Sequence, residues 1–245
     1  CVANGKLLRE GPFKSIWIQP AAGDAGGALG AALYVWYKHL GHARNVPKNI
    51  DFQKGSYLGT SYSDEYIKTY LDHNSLPFIK FKNSKELSAT IAKHLNKGKV
   101  VGWFNGKMEF GPRSLGSRSI LGDPRSPKMQ SQMNLKIKYR ESFRPFAPAI
   151  LSDPVEDWFE VSRADSDNAF LSPYMLLVGR VRERHIKLDK SEHNNCGFER
   201  LKNIKSDIPA VTHVDYSARI QTVDEKTNPD FYCLLSEFYK LTGCP

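Results

Sequence analysis

Residues Ser84–Phe104, SKELSATIAKHLNKGKVVGWF, change their apolar period from that of a helix to that of a strand within one short stretch. Leu87, Ile91 and Leu95 recur every fourth residue and so share one helical face, and Gly98 follows where such a helix would stop. Val100-Val101-Gly102-Trp103-Phe104 then reads as a buried strand. Downstream, Ala147 to Leu151, Tyr174 to Val181 and Val211 to Val223 read as further strands, and Ser126 to Ile137 and Phe231 to Leu241 as helices. Because strands and helices mix without a regular βαβ period, the expected class is α+β (α/β), a twisted open sheet with helices rather than a barrel.

Upstream, Phe13 to Gln19 alternates into a short predicted strand that Pro20 stops. The small residues of Ala21 to Leu33 then lead into a helix running to Leu40, a strand, glycine turn and helix layout suited to phosphate. Gly41 to Gly59 reads as a connector and Ser63 to Asp72 as a helix. A second unit begins near Phe78, which divides the chain into 1–77 and 78–245. The abrupt start, and an end directly after a helix, suggest a piece of a longer protein.

With 245 residues, a core needs no staples. A net charge of +9 and a pI near 9.3 favour anionic partners without choosing among nucleotides, phosphorylated metabolites and nucleic acid. Four cysteines (Cys1, Cys196, Cys233 and Cys244) form no C-x-x-C pair, which argues against a zinc site or a disulfide framework and fits a reducing cytoplasm. No run of eighteen apolar residues and no signal-peptide pattern is present, so a soluble protein is expected, without a membrane partner. Walker, zincin and nucleophile-elbow motifs are also absent.

Chemistry concentrates between Asn105 and Pro148, where five arginines (Arg113, Arg118, Arg125, Arg140 and Arg144) are separated by glycines and prolines. Guanidinium forks on constrained loops match pairs of phosphate oxygens, and their apolar neighbours Phe110, Leu115, Ile120, Phe143 and Phe146 argue for the border of a pocket. The bland account is a decorated basic surface. Glu109 and Glu141 are expected to orient guanidinium groups rather than to act as general bases. Lys138 and Arg140 alternate with Ile137 and Tyr139, so an extended backbone would put both cations on one face. His213, Asp215, Ser217, Arg219 and Gln221 would share one side of a strand, as a site floor or as ordinary exposure. Asp24 precedes a helix of small residues, where capping alone explains it, although a carboxylate there would also suit a metal ion. His39 and His42 suit the helix dipole.

The elements M-E-F-G-P-R-x-L-G-x-R-S-I and R-E-x-F-R-P-F-A-P, between Gly102 and Pro148, resemble the O-carbamoyltransferases that act on nodulation factors, cephems and aminoglycosides. Gly23 to Gly30 is similar to that family's G-D-A-G-G-A-L-G element. Ser114 and Ser117 depart from its more usual alanine and asparagine, and Gly59-Thr60 from glycine and proline, without loss of a charged group.

The resemblance implies that Cys1 to Leu40 closes an actin/Hsp70-like (ASKHA) nucleotide-binding domain, with Gly23, Gly26 and Gly27 at nucleotide and Asp24 on a divalent metal ion, iron-type or magnesium. It also implies a YrdC-like domain from Phe78, in which carbamoyl phosphate and ATP become carbamoyl adenylate. Lys138, Arg140, Arg144 and Arg113 are its catalytic expectations, with Arg118, Glu109, Glu141, His213, Ser217 and Arg219 at substrate. The acceptor would be a small-molecule or saccharide hydroxyl, and activity is expected of the full-length protein. Two rivals remain. One is a nucleic-acid-binding module, opposed by arginines that sit in glycine and proline loops rather than along a stripe. The other is an ATP-binding fragment without turnover, which the same pocket would serve.

Overall fold

The computed structural model describes residues 1–13, 15–45, 51–161, 171–187 and 206–245. Cys196 and Pro47 lie outside them.

Helix α1, Val2–Glu10, is not anticipated by the sequence reading. It lies along strand β5 (Leu177–Val181): Asn4 Nδ2 donates to the Leu176 carbonyl at 3.1 Å and Arg9 Nη1 to that of Val178 at 3.3 Å. Phe13 to Gln19 is not a strand. A ladder needs a partner strand, and among the described residues none pairs with this stretch; Trp17 is 79% exposed. Helix α2, Asp24–Tyr34, follows as expected and continues as a π-helical turn over Val35–His39. It is apolar almost throughout, yet none of its residues is buried.

The supposed connector is a packed element from 51 onward. A tight turn over Lys54–Ser56 leads to Tyr57, which bridges antiparallel to Glu109, and the Phe110 amide donates to the Ser56 carbonyl at 2.7 Å. Helix α3, Asp64–His73, is capped by Ser63, whose hydroxyl accepts from the Tyr66 amide. Helix α4, Ser84–Asn96, starts where Asn83 accepts from the Glu86 amide at 2.9 Å, and Gly98 follows it at φ 74°.

Two sheets follow. Strands β1 (Val101–Phe104) and β2 (Arg118–Leu121) pair antiparallel, with Val101 opposite Leu121. The strand read at Val100 to Phe104 is present as β1, but of its residues only Trp103 is buried, because a two-stranded ribbon covers one face at most. The larger sheet has the order β3-β6-β5-β4, built from β3 (Ala149–Leu151), β6 (Ser217–Val223), β5 and β4 (Phe159–Glu160). Strand β3 runs parallel to β6, and the other pairings are antiparallel. Short helices α5 (Met129–Met133) and α6 (Val155–Trp158) fill the connections, and a π-helical turn over Asn134–Lys138 extends α5.

Helix α7, Pro229–Thr242, has proline in its first turn, an Asn228 cap and Gly243 at φ 71° beyond its end, three signals that agree on its limits. It packs on α4 and drives Phe231, Leu234 and Phe238 into a core shared with Leu95, Trp103, Ile150, Phe159, Val181 and Ile220. The class is mixed α and β, as the sequence implied, with a curled sheet that is largely antiparallel.

Candidate functional site

Between β1 and β2 the chain makes a loop, 105–117, whose far side carries Pro112, Arg113 and Ser114. Five buried or part-buried side chains hold it from behind. Glu109 Oε1 accepts from the amides of Leu115 (2.8 Å), Ser117 (2.8 Å) and Arg118 (3.1 Å). The Leu115 carbonyl accepts from the Tyr57 hydroxyl and from Gln221 Nε2, both at 2.7 Å. The Gly116 carbonyl accepts from Trp103 Nε1 at 2.9 Å and from Asn228 Nδ2 at 3.3 Å. Gly116 itself has φ 100°, and a Cβ there would sit 2.3 Å from the Phe231 ring. Burial, ahead of the neighbouring Glu109 charge, pushes the Tyr57 hydroxyl up to about 12, so it stays a donor to Leu115 at neutral pH.

The loop faces a cavity of about 230 Å³ lined by Arg113, Ser114, Gly116, Ser119, Lys138, Arg140, Arg219 and Gln221, with Phe146 and Phe231. Four cations thus border one hollow, and among the described residues no carboxylate lines it. Burial first, then the Arg113 charge, lowers the Arg219 guanidinium below its ordinary value. Such a pair is held together against its own repulsion, and an anion between them would relieve it. Arg140 is aimed by Asn134, a fully buried side chain whose Oδ1 accepts from Arg140 Nε at 2.6 Å while its Nδ2 donates to the carbonyls of Ser142 and Arg144. The Arg140 guanidinium also stands 4.9 Å from the Phe146 ring centre.

Lys138 and Arg140 therefore share the hollow, but not by alternation along a strand. Lys138 ends the π-helical turn and Tyr139 takes a left-handed backbone, φ 48° and ψ 50°, which reverses the chain between the two cations. Glu109 forms no ion pair with a guanidinium among the described residues; backbone amides occupy its Oε1. Glu141 pairs with Arg144 at 3.4 Å, both more than half exposed, and neither lines the cavity. Arg118 spends its donors on the carbonyls of Asn105, Gly106, Ser117 and Thr60 and lies 3.6 Å over the Phe104 ring, as a strap across the loop's base. Arg125 is bound by Asp123 and Asn96.

His213 and Asp215 stand in a turn before β6, because Tyr216 at φ 61° breaks the extended backbone; the expected strand face begins only at Ser217. The Ser217 hydroxyl donates to Asp215 Oδ1 at 2.6 Å and lies 3.2 Å from His213 Nδ1. Burial alone would raise the Asp215 carboxyl, but the Ser217 hydroxyl and amide and the His213 charge hold it below the usual range. These three residues brace the start of β6 and lie outside the cavity lining.

Gly23 is the N-cap of α2, Asp24 begins its first turn, and the side chain of Asp24 makes no capping bond. A Cβ on Gly23 or Gly27 would meet nothing within 4 Å, whereas one on Gly26 would sit 2.5 Å from the Ala21 carbonyl. The turn before α2 reaches the arginine loop: a Cβ on Gly111, at φ 108°, would lie 2.5 Å from Cβ of Ala21. Among the described residues no three histidine, cysteine or acidic side chains gather for a metal ion. Asp24 offers one exposed carboxylate, a single one of the several donors that a divalent cation takes.

Sequence reasoning missed Asn134, Tyr57 and Asn228. Gln221 appeared only as part of a polar strand face. A buried amide has no periodic signature, since one residue that satisfies carbonyls looks like any surface asparagine in a string of letters.

A mixed α/β scaffold thus holds several cations around one small hollow. Comparison with known proteins then gives the family. The family described as Carbamoyltransferase C-terminus matches residues 92–245 and that described as Carbamoyltransferase N-terminus matches residues 1–33. The chain belongs to the carbamoyltransferase family. It is 54% identical over 246 residues to the uncharacterized protein sll1178 of Synechocystis sp., covering 100% of this chain and 39% of that protein. It is 38% identical to nodulation protein NolO of Bradyrhizobium diazoefficiens, covering 100% of this chain and 40% of the relative. To the 3'-hydroxymethylcephem-O-carbamoyltransferase of Streptomyces clavuligerus it is 33% identical, covering 99% and 38%. The chain thus spans about two fifths of the length of these relatives. No described helix is long and apolar enough to cross a membrane.

Proposed function

We propose that this chain carries the carbamoyl phosphate and ATP site of an O-carbamoyltransferase whose acceptor is a hydroxyl on a small molecule or saccharide. The observation that carries the reading is the half-buried Arg219 beside Arg113, with Lys138 and Arg140 on the same cavity and no described carboxylate to balance them. A cationic hollow that is electrostatically unfavourable when empty is suited to a small polyanion.

In the proposed sequence, water attacks the phosphorus of carbamoyl phosphate, the P–O bond to the carbamoyl oxygen breaks, and inorganic phosphate and carbamate form while a proton passes to solvent. A carbamate oxygen attacks the α-phosphorus of ATP, a P–O bond to pyrophosphate breaks, and carbamoyl adenylate forms. The acceptor oxygen then attacks the carbamoyl carbon, AMP leaves and the hydroxyl proton passes to solvent. Arg113, Lys138, Arg140 and Arg219 neutralise the charge that builds on phosphoryl oxygens, and removing one such group costs about 3 kcal/mol of barrier. An apolar cavity of about 140 Å³ shares Ile120, Leu121, Phe146, Ala147, Ala149 and Phe231 with the cationic one, which supports a nucleotide whose base and phosphates need unlike surroundings. Residues 78–245 would then form the YrdC-like domain, and 1–77 would belong with an ASKHA-type nucleotide domain. No step is routed through a metal ion.

Calorimetry on the full-length protein tests this. Carbamoyl phosphate should bind, and Arg219→Ala or Lys138→Ala should weaken it at least tenfold. Unchanged affinity in both variants would remove the pocket assignment.

A further inference from the structure

We propose that Glu109 is the positioning residue for Arg113, acting through the backbone of the loop and never touching substrate; this rests on the reading of the cationic cavity given above. Glu109 is 8% exposed and one of its oxygens collects three amides that follow Arg113 in the chain. Its own backbone is fixed beforehand, because it bridges to Tyr57, and the flanking Met108 and Phe110 amides donate to the Thr60 and Ser56 carbonyls. The carboxylate therefore closes a ring from 109 to 115, with Arg113 on the side away from the closure.

Separate tethers hold the carbonyl side of residues 115 and 116. Leu115 has its amide on Glu109 and its carbonyl on Tyr57 and Gln221, while Gly116 has its carbonyl on Trp103 and Asn228. Removing Glu109 would release the Leu115, Ser117 and Arg118 amides, while the Gly116 amide stays on the Ser119 hydroxyl and the carbonyl side stays held. A guanidinium recognises phosphate by a rigid fork, so its value depends on the loop that aims it. Glu109 does not line the cavity, and among the described residues it makes no ion pair, which sets aside roles as a base or as a guanidinium partner.

Carbamoyl phosphate affinity in the full-length protein separates positioning from mere stabilisation. Glu109→Ala leaves three amides without an acceptor and risks the fold, so Glu109→Asp, which keeps the charge but shortens the reach, and Glu109→Gln, which keeps an acceptor oxygen at the same reach, are the informative variants. Glu109→Asp is expected to weaken binding at least tenfold, Glu109→Gln less than threefold, and Glu109→Asp added to Arg113→Ala less than twofold further. Wild-type affinity in Glu109→Asp would overturn the inference while leaving the pocket intact, as would an equal loss with and without Arg113. Wild-type affinity in Arg113→Ala would overturn the inference, and the pocket assignment falls with it only if Arg219→Ala and Lys138→Ala also bind normally.

Discussion

Arg219 shows how a residue can serve binding at the expense of the unbound fold. Its guanidinium is half-buried near a like charge and has no described carboxylate beside it on the cavity, so the ligand-free protein carries it at a cost. Arg219→Leu is expected to raise the melting temperature of the ligand-free protein by roughly 2 °C, and to abolish the further rise that carbamoyl phosphate gives the wild type by binding the folded state. Differential scanning fluorimetry with and without ligand checks both halves, and a lower midpoint without ligand would show that Arg219 has a stabilising partner. The sequence told which stretch is rich in guanidinium groups, but not their fates. Of the five arginines between Asn105 and Pro148, Arg113 and Arg140 reach the cavity. Arg118 went to carbonyls, Arg125 to Asp123, and Arg144 to the surface with Glu141. Those fates depend on partners distant in the chain, such as Thr60 for Arg118, which no local pattern encodes.

At the level of elements, local signals succeeded where the chain carries its own punctuation. Helix α4 was legible because Leu87, Ile91 and Leu95 recur at helical spacing and Gly98 follows, and the helix read over Phe231 to Leu241 is α7, whose asparagine cap and first-turn proline extend it to Pro229–Thr242. Strands were less so. The predicted start of β6 at Val211 failed because Tyr216 turns left-handed, and Phe13 to Gln19 has the alternation of a strand without a partner strand among the described residues. The loop between β1 and β2 gives a direct test of how tightly one element fixes another. Gly116→Ala places a methyl group 2.3 Å from the Phe231 ring and forces a side chain onto a backbone at φ 100°. Overpacking and left-handed strain together should cost about 2 to 4 kcal/mol, read as a lower urea midpoint at unchanged slope. An unaltered midpoint would mean that α7 yields easily at Phe231.

On the scale of the whole molecule, charge and composition lead to the expectation of an anionic partner without a size, and the cavity of about 230 Å³ is what makes the proposed partner a small one. With a net charge of +9, long-range attraction adds to the local forks, and this part is screened by salt. Carbamoyl phosphate affinity should fall roughly two- to fivefold between 50 and 300 mM sodium chloride, measured by titration in a non-phosphate buffer, and a flat response would confine recognition to the pocket. The mixed class was legible because the apolar period changes along the chain. The docking of α1 on β5 was not, since Asn4 and Arg9 meet carbonyls more than one hundred and sixty residues away.

The reversal at Tyr139 carries a consequence for sequence drift. Its ring is 86% exposed and its backbone sits where a β-carbon is unwelcome, at a penalty of about 1 kcal/mol. Selection for heat tolerance should therefore arrive early at glycine or asparagine in this position, because either keeps Lys138 and Arg140 where they are. A valine or isoleucine would be purged, since branching at that carbon pulls the two cations apart.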